Sequence, residues 1–136
     1  MDGSEYLNQR SVFIMDKTFS NGELNMIALK LEQTAADKIS LPPKIAYKIV
    51  KNGIAIKQAL QPYQLTRDEI IKKITGGASK VTYSEDPDKY NEVVAAISDI
   101  DREIVTVKID TIPLESLPDG NMPLAFIDAI NFMIEE

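Results

Sequence analysis

Residues 103–110 read EIVTVKID, in which Val105, Val107 and Ile109 alternate with Thr106 and Lys108. A period of two marks a strand with one buried face. Val12-Phe13-Ile14-Met15 is a second, shorter β-prone run. Strands at about 11–15 and 103–110 can pair and tie together whatever lies between them.

What lies between them is helical in pattern. Ser20-Asn21-Gly22-Glu23 forms a capping box: the Ser20 hydroxyl accepts from the Glu23 amide, and the Glu23 carboxylate reaches back to the cap amide. Leu24, Ile27, Ala28, Leu31 and Ala35 then make one apolar stripe, and the helix should end near Asp37 or Lys38. Pro42 and Pro43 open a second helix, because proline fits the first turn, where its missing amide has no partner anyway. Ile45, Ile49, Ile56 and Leu60 form its apolar row, widened by Ala46, Gly53 and Ala59. Gly53 costs about 1 kcal/mol against alanine, and close approach of a neighbouring helix would account for it. Pro62 should kink or end this helix. Thr66-Arg67-Asp68-Glu69, a second capping box, should start another over 67–74.

Thr75-Gly76-Gly77-Ala78-Ser79 is the clearest break in the chain. Beyond it, Asp86 and Pro87 supply an N-cap and a first-turn proline for a helix whose face is made by Tyr90, Val93, Val94 and Ile97 and which ends near Asp101. Pro113, Pro118, Asp119 and Gly120 make turns. A final helix from Met122 or Pro123 to the end should bury Leu124, Ile127, Ile130 and Ile134. The expected class is a mostly helical α+β protein of four or five helices and two short strands, with residues 1–10 a flexible tail and 11–136 a single domain.

At 136 residues the chain suits one compact domain. It has no cysteine, hence no disulfide, thiolate metal site or thiol nucleophile. It has no histidine, which removes the commonest general base and zinc ligand. No apolar run approaches the roughly 20 residues that span a bilayer, and MDGSEYLNQR is unlike a secretory signal. These features predict a soluble intracellular protein with no membrane association. The net charge of −6 is split: residues 1–80 carry 12 Lys+Arg against 8 Asp+Glu, and residues 81–136 carry 3 against 13. The halves can satisfy each other within one fold or between copies in an assembly.

Lys44, Lys48 and Lys51, at i, i+4 and i+7, share a helix face. Phosphate binding would use such a row, but it lacks arginine forks and stacking aromatics. A solvated face or a protein-docking face is the better reading, and nucleic acid the weaker. Asp99, Asp101 and Glu103 have the D-x-D-x-E spacing of a hard-cation site without its glycine turn or distal glutamate; solvated acids explain them. Glu85, Asp86 and Asp88 suit a helix N-terminus. Gly76-Gly77 with Ser79-Lys80 departs from the phosphate-loop spacing. No pair among the 21 acidic residues stands out for acid–base work. No enzyme, cofactor or metal is expected. In LAFIDAINFMIEE, Phe126, Phe132 and Met133 lie beyond the main apolar row, either as deeper core or as a contact with another chain.

Four segments together resemble small phage and prophage proteins of an uncharacterised domain-of-unknown-function family. They are Phe19-Ser20-Asn21-Gly22-Glu23-Leu24 after a short strand, LPPKIAYKIVKN at 41–52, EIVTVKID, and the terminal LAFIDAINFMIEE. The likeness is an ordered pattern over most of 11–136. Such proteins carry a longer charged helical hairpin where this chain has Pro62 and Gly76-Gly77. The resemblance implies a phage protein, in the host cytoplasm or the virion, with no catalytic residues to carry over. The expectation is a non-enzymatic protein–protein interaction protein, self-associating as a virion or assembly component or binding other phage proteins. The alternatives are an inhibitor of one host protein and a nucleic-acid accessory protein using the lysine row. The interaction candidates are Lys44, Lys48, Lys51, Phe126, Phe132 and Met133.

Overall fold

The computed structural model describes residues 14–34, 40–118 and 122–135. The expected tail, residues 11–13 of the first expected strand, the expected helix end at Asp37 or Lys38 and the turn at Asp119-Gly120 lie outside them. Strand β1 (Ile14–Ser20) leads into α1 (Asn21–Thr34), the long α2 (Pro43–Thr75) and α3 (Pro87–Asp101). Then come β2 (Ile104–Asp110), β3 (Ile112–Pro113), a 3₁₀ turn, α4 (Leu124–Ile130), a second 3₁₀ turn and β4 (Ile134–Glu135). The protein is mostly helical α+β.

The two strands do pair. β1 and β2 run antiparallel with Ile14 opposite Asp110 and Ser20 opposite Ile104. The first strand continues through Asp16-Lys17-Thr18, polar residues that give it little β signal. Their places are set by the partner: Lys17 lies opposite the buried Val107, and its ammonium donates to the Phe132 carbonyl. Its stem lies along the inner face while its charge finds a polar partner. Asp16 and Lys108 face each other across the outer side at 3.5 Å.

Both expected caps around α1 and α3 form. The Ser20 hydroxyl accepts from the Glu23 amide at 3.1 Å, but the Glu23 carboxylate accepts from that hydroxyl at 3.2 Å. The expected bond back to the cap amide is thus replaced by one to the cap hydroxyl. Asp86 accepts from the Lys89 amide at 3.1 Å, ahead of Pro87. Gly76 ends α2 in the left-handed region at φ 75°, where a side chain would be strained.

Two expectations are corrected. Pro62 neither ends nor divides its helix: α2 runs unbroken over 33 residues, and Thr66 starts nothing. The proline removes the amide that would bond to the Gln58 carbonyl. Gln58 and Pro62 are both exposed, so water can take that carbonyl, while buried Leu60 and Tyr63 hold the helix on either side. The final helix is short. It stops at Ile130, and a 3₁₀ turn swings Met133 into the core, where it is fully buried. Ile134 and Glu135 then pair in parallel with Ile112 and Pro113. The buried face of α4 is Phe126, Ala129 and Ile130, leaving Leu124 84% exposed. Tertiary packing overrides a helical sequence here.

One core joins these elements. Leu24 of α1, Ile45, Ile56, Leu60 and Tyr63 of α2, and Val107 and Ile109 of β2 meet Ile112, Phe126, Ile130 and Met133. No helix among the described residues is long and apolar enough to cross a membrane.

Candidate interaction surface

Helix α2 presents three different faces. At about 3.6 residues per turn, Ile45, Ile49, Asn52, Ile56, Leu60 and Tyr63 form the inner one. Asn52 is 1% exposed, and its amide clamps the end of β2. Its Oδ1 accepts from the Asp110 amide at 2.8 Å, and its Nδ2 donates to the Asp110 carbonyl at 2.9 Å. The sequence did carry a signal for it. Position 52 is i+7 from Ile45 and i−4 from Ile56, so an asparagine interrupts an apolar row.

The lysines flank this face on the strand side. Lys48 donates to the Thr111 carbonyl at 2.9 Å and lies 3.6 Å from the half-buried Asp110 carboxylate. Lys51 lies 3.5 Å from the same carboxylate. Two of the three lysines therefore help to seat β2 on α2, and Lys44 alone of the three is simply exposed. The expected wet row is mainly a staple.

The third face is turned away from the core. Tyr47, Val50 and Ile54, at i, i+3 and i+7, are 68%, 61% and 53% exposed, with Leu65 further along. Beside them a groove of about 280 Å³ opens between α1 and α2, lined by Leu31, Ile49, Val50, Gly53, Ile54 and Phe126. Gly53 borders it, and a Cβ built there meets nothing within 4 Å. Close helix approach is therefore not the reason for this glycine. Its missing side chain leaves the groove open. A second i, i+3, i+7 apolar series was present in the sequence, masked by the stronger row on the opposite side.

Of the candidates near the end of the chain, Met133 is fully buried and offers no surface, while Phe126 is a core residue that also lines this groove. Phe132 is half-buried, with its ring edge-on to Phe19 at 6.1 Å.

Farther along α2, the Tyr63 hydroxyl donates to Asp101 Oδ1 at 2.5 Å. Burial, reinforced by this bond to the carboxylate, pushes the Tyr63 phenol up to about 12. Asp101 is thus committed to holding α3 on α2. Among the described residues no three acidic side chains gather closely enough to hold a metal ion.

Comparison of the chain with protein-family models, with curated proteins and with solved structures finds no match. The fold and surface define the class by themselves: a mostly helical α+β protein with one long helix whose outer face is apolar and exposed among the described residues.

Proposed function

We propose that this chain is a non-enzymatic protein–protein interaction protein, one that self-associates as a component of a virion or of an assembly complex. The observation that carries the reading is the outer face of α2, where Tyr47, Val50 and Ile54 stand exposed beside the groove at Gly53. Exposed aliphatic side chains are common singly, but an ordered row bordering an apolar groove is a feature of docking surfaces. A glycine kept in a helix interior with no packing partner supports it further. The likeness of four segments to small phage and prophage proteins supports the biological setting. The contact surface assigned is Tyr47, Val50, Ile54 and the Gly53 groove, which Phe126 lines from the core, with Lys44 at its border and without Met133.

Nothing in the geometry favours nucleic acid, since Lys48 and Lys51 are engaged by Asp110 and the Thr111 carbonyl. The test is the solution mass of the purified chain by light scattering after size exclusion. The expected result is a discrete population heavier than the 15.2 kDa chain. A monomer at every concentration overturns self-association.

A further inference from the structure

A second concave region opens where α1, α2 and α3 meet, away from the outer face of α2. It encloses about 410 Å³, within the range of small-molecule sites. After the break at Gly76-Gly77, α3 returns antiparallel along α2, so the cleft has two different ends. At one end the hydrogen bond from Tyr63 to Asp101 closes it. There α1 comes so near to α3 that a Cβ on Gly22 would lie 3.5 Å from Asp101. At the other end the loop joining α2 to α3 brings in Lys80 and Val81. That loop is held against α3. Tyr83 stands edge-on to Tyr90 at 5.8 Å, and the Asp86 amide donates to the Thr82 carbonyl at 3.1 Å.

Between the ends the walls are aliphatic. Val93 and Ile97 are buried beneath, while Met26 and Val94 line the cleft with 55% and 48% of their surface still wet. Ile71 and Val81, both half-buried, complete the apolar lining. Two cations border it: Arg67 is half-buried and Lys80 exposed. Neither takes part in an ion pair among the described residues. Arg67 lies one turn beyond Tyr63 and acts on its hydroxyl, which keeps the guanidinium at the cleft. Asp101 is the one carboxylate found in the lining, and its Oδ1 already accepts from Tyr63. The cleft is therefore cationic in a chain of net charge −6. Partial burial of a guanidinium is costly when no carboxylate of the chain offsets it. An external carboxylate would offset it, since the planar fork matches such a group with two parallel bonds and a lysine adds a point charge.

We propose that this cleft binds a small organic carboxylate with an apolar body. Its anionic end sits between Arg67 and Lys80, on the loop side and away from Asp101, and its hydrocarbon lies over Met26, Ile71, Val81 and Val94. Each competing chemistry leaves part of the site unsatisfied. An organic cation meets two like charges, inorganic phosphate leaves the aliphatic wall wet, and a neutral hydrocarbon leaves both cations without a partner. The site is separate from the outer face of α2 and does not depend on self-association.

The experiment is a titration of the whole chain with phenylpropionate at pH 7, followed amide by amide by heteronuclear NMR. The expected result is saturable shifts confined to the cleft segments of α1, α2 and α3 and to the loop at Lys80-Val81. The matching alcohol, phenylpropanol, and inorganic phosphate should each bind at least about tenfold more weakly, the factor one charge-assisted hydrogen bond supplies. Lys80→Met and Arg67→Met should each lose about tenfold in affinity with an unchanged circular dichroism spectrum, and Arg67→Lys should recover part of the loss. Val94→Trp, which fills the cleft, should abolish binding. The absence of saturable shifts at millimolar phenylpropionate overturns the proposal. So does an alcohol that binds as tightly as the acid, a Lys80→Met chain that binds like the wild type, or a set of shifts centred on the Gly53 groove.

Discussion

An asparagine is a poor helix former, because its amide competes for the backbone, yet Asn52 sits in the middle of the longest helix with almost no exposure. Its two bonds to the backbone of Asp110, the last residue of β2, explain the choice. Replacement by leucine would complete the apolar row and should still destabilise the fold. It leaves a buried amide and carbonyl unpaired, at about 1–3 kcal/mol for each group. Urea denaturation checks it; an unchanged midpoint would remove the clamp from the account. Tyr63 gives a second residue-scale test, on pH. Below about pH 10 the phenol is neutral in both states. Between the ordinary value near 10 and the folded value of about 12, only the unfolded chain has lost its proton. Stability therefore falls as pH rises through that window and levels off above it. Tyr63→Phe should lose about 1.5–3 kcal/mol at pH 7, from the hydrogen bond to Asp101. That deficit should shrink between pH 9 and pH 11.5 in parallel denaturation curves.

Among the elements, α2 departs most from local expectation, and it shows why some of the fold was legible in the sequence and some was not. Caps and alternation act within a few residues, so the Asp86-Pro87 start, the Gly76 end and the β2 alternation could all be read directly. What happens at Pro62 depends on which side of the helix meets water. What happens after Ile130 depends on Ile112, some twenty residues earlier in the chain. Neither relation is written locally. The docking face was only half legible: the lysines were visible, but their engagement with Asp110 needed β2 in place. Two substitutions test the element. Gly53→Ala should raise stability by about 1 kcal/mol, because the added Cβ meets nothing within 4 Å. Pro62→Ala should raise it further, by restoring an amide to the Gln58 carbonyl and removing the ring clash, about 3 kcal/mol on helix propensity alone. Thermal melts followed by circular dichroism measure both; a fall on Pro62→Ala would mean that the proline is fitted to its surroundings.

At the scale of the whole molecule, the core is closed by segments that lie far apart in sequence. β1 finds β2 across most of the chain, and residues 131–135 return to β1, α2 and β3. Phe132 meets Phe19 of β1 edge-on, its carbonyl accepts from Lys17, and Met133 reaches Asn52 on α2. This arrangement separates two roles that apolar residues near the end of a chain can have. If Met133 and Phe126 served chiefly to dock another protein, their removal would lower the mass of the assembly and leave the melting temperature alone. Their burial predicts the reverse order of effects. Met133→Ala should cost about 2–5 kcal/mol, as expected for a large side chain truncated in a packed core. Phe132→Ala should cost less, because its ring is only half-buried. Tyr47→Ala and Ile54→Ala, on the exposed face, should leave the melt within about 0.5 kcal/mol of wild type while shifting the mass distribution. Melting temperature and light-scattering mass, measured on the same four variants, decide the matter. A Met133→Ala chain that melts like the wild type and only loses mass would return the docking surface to the end of the chain.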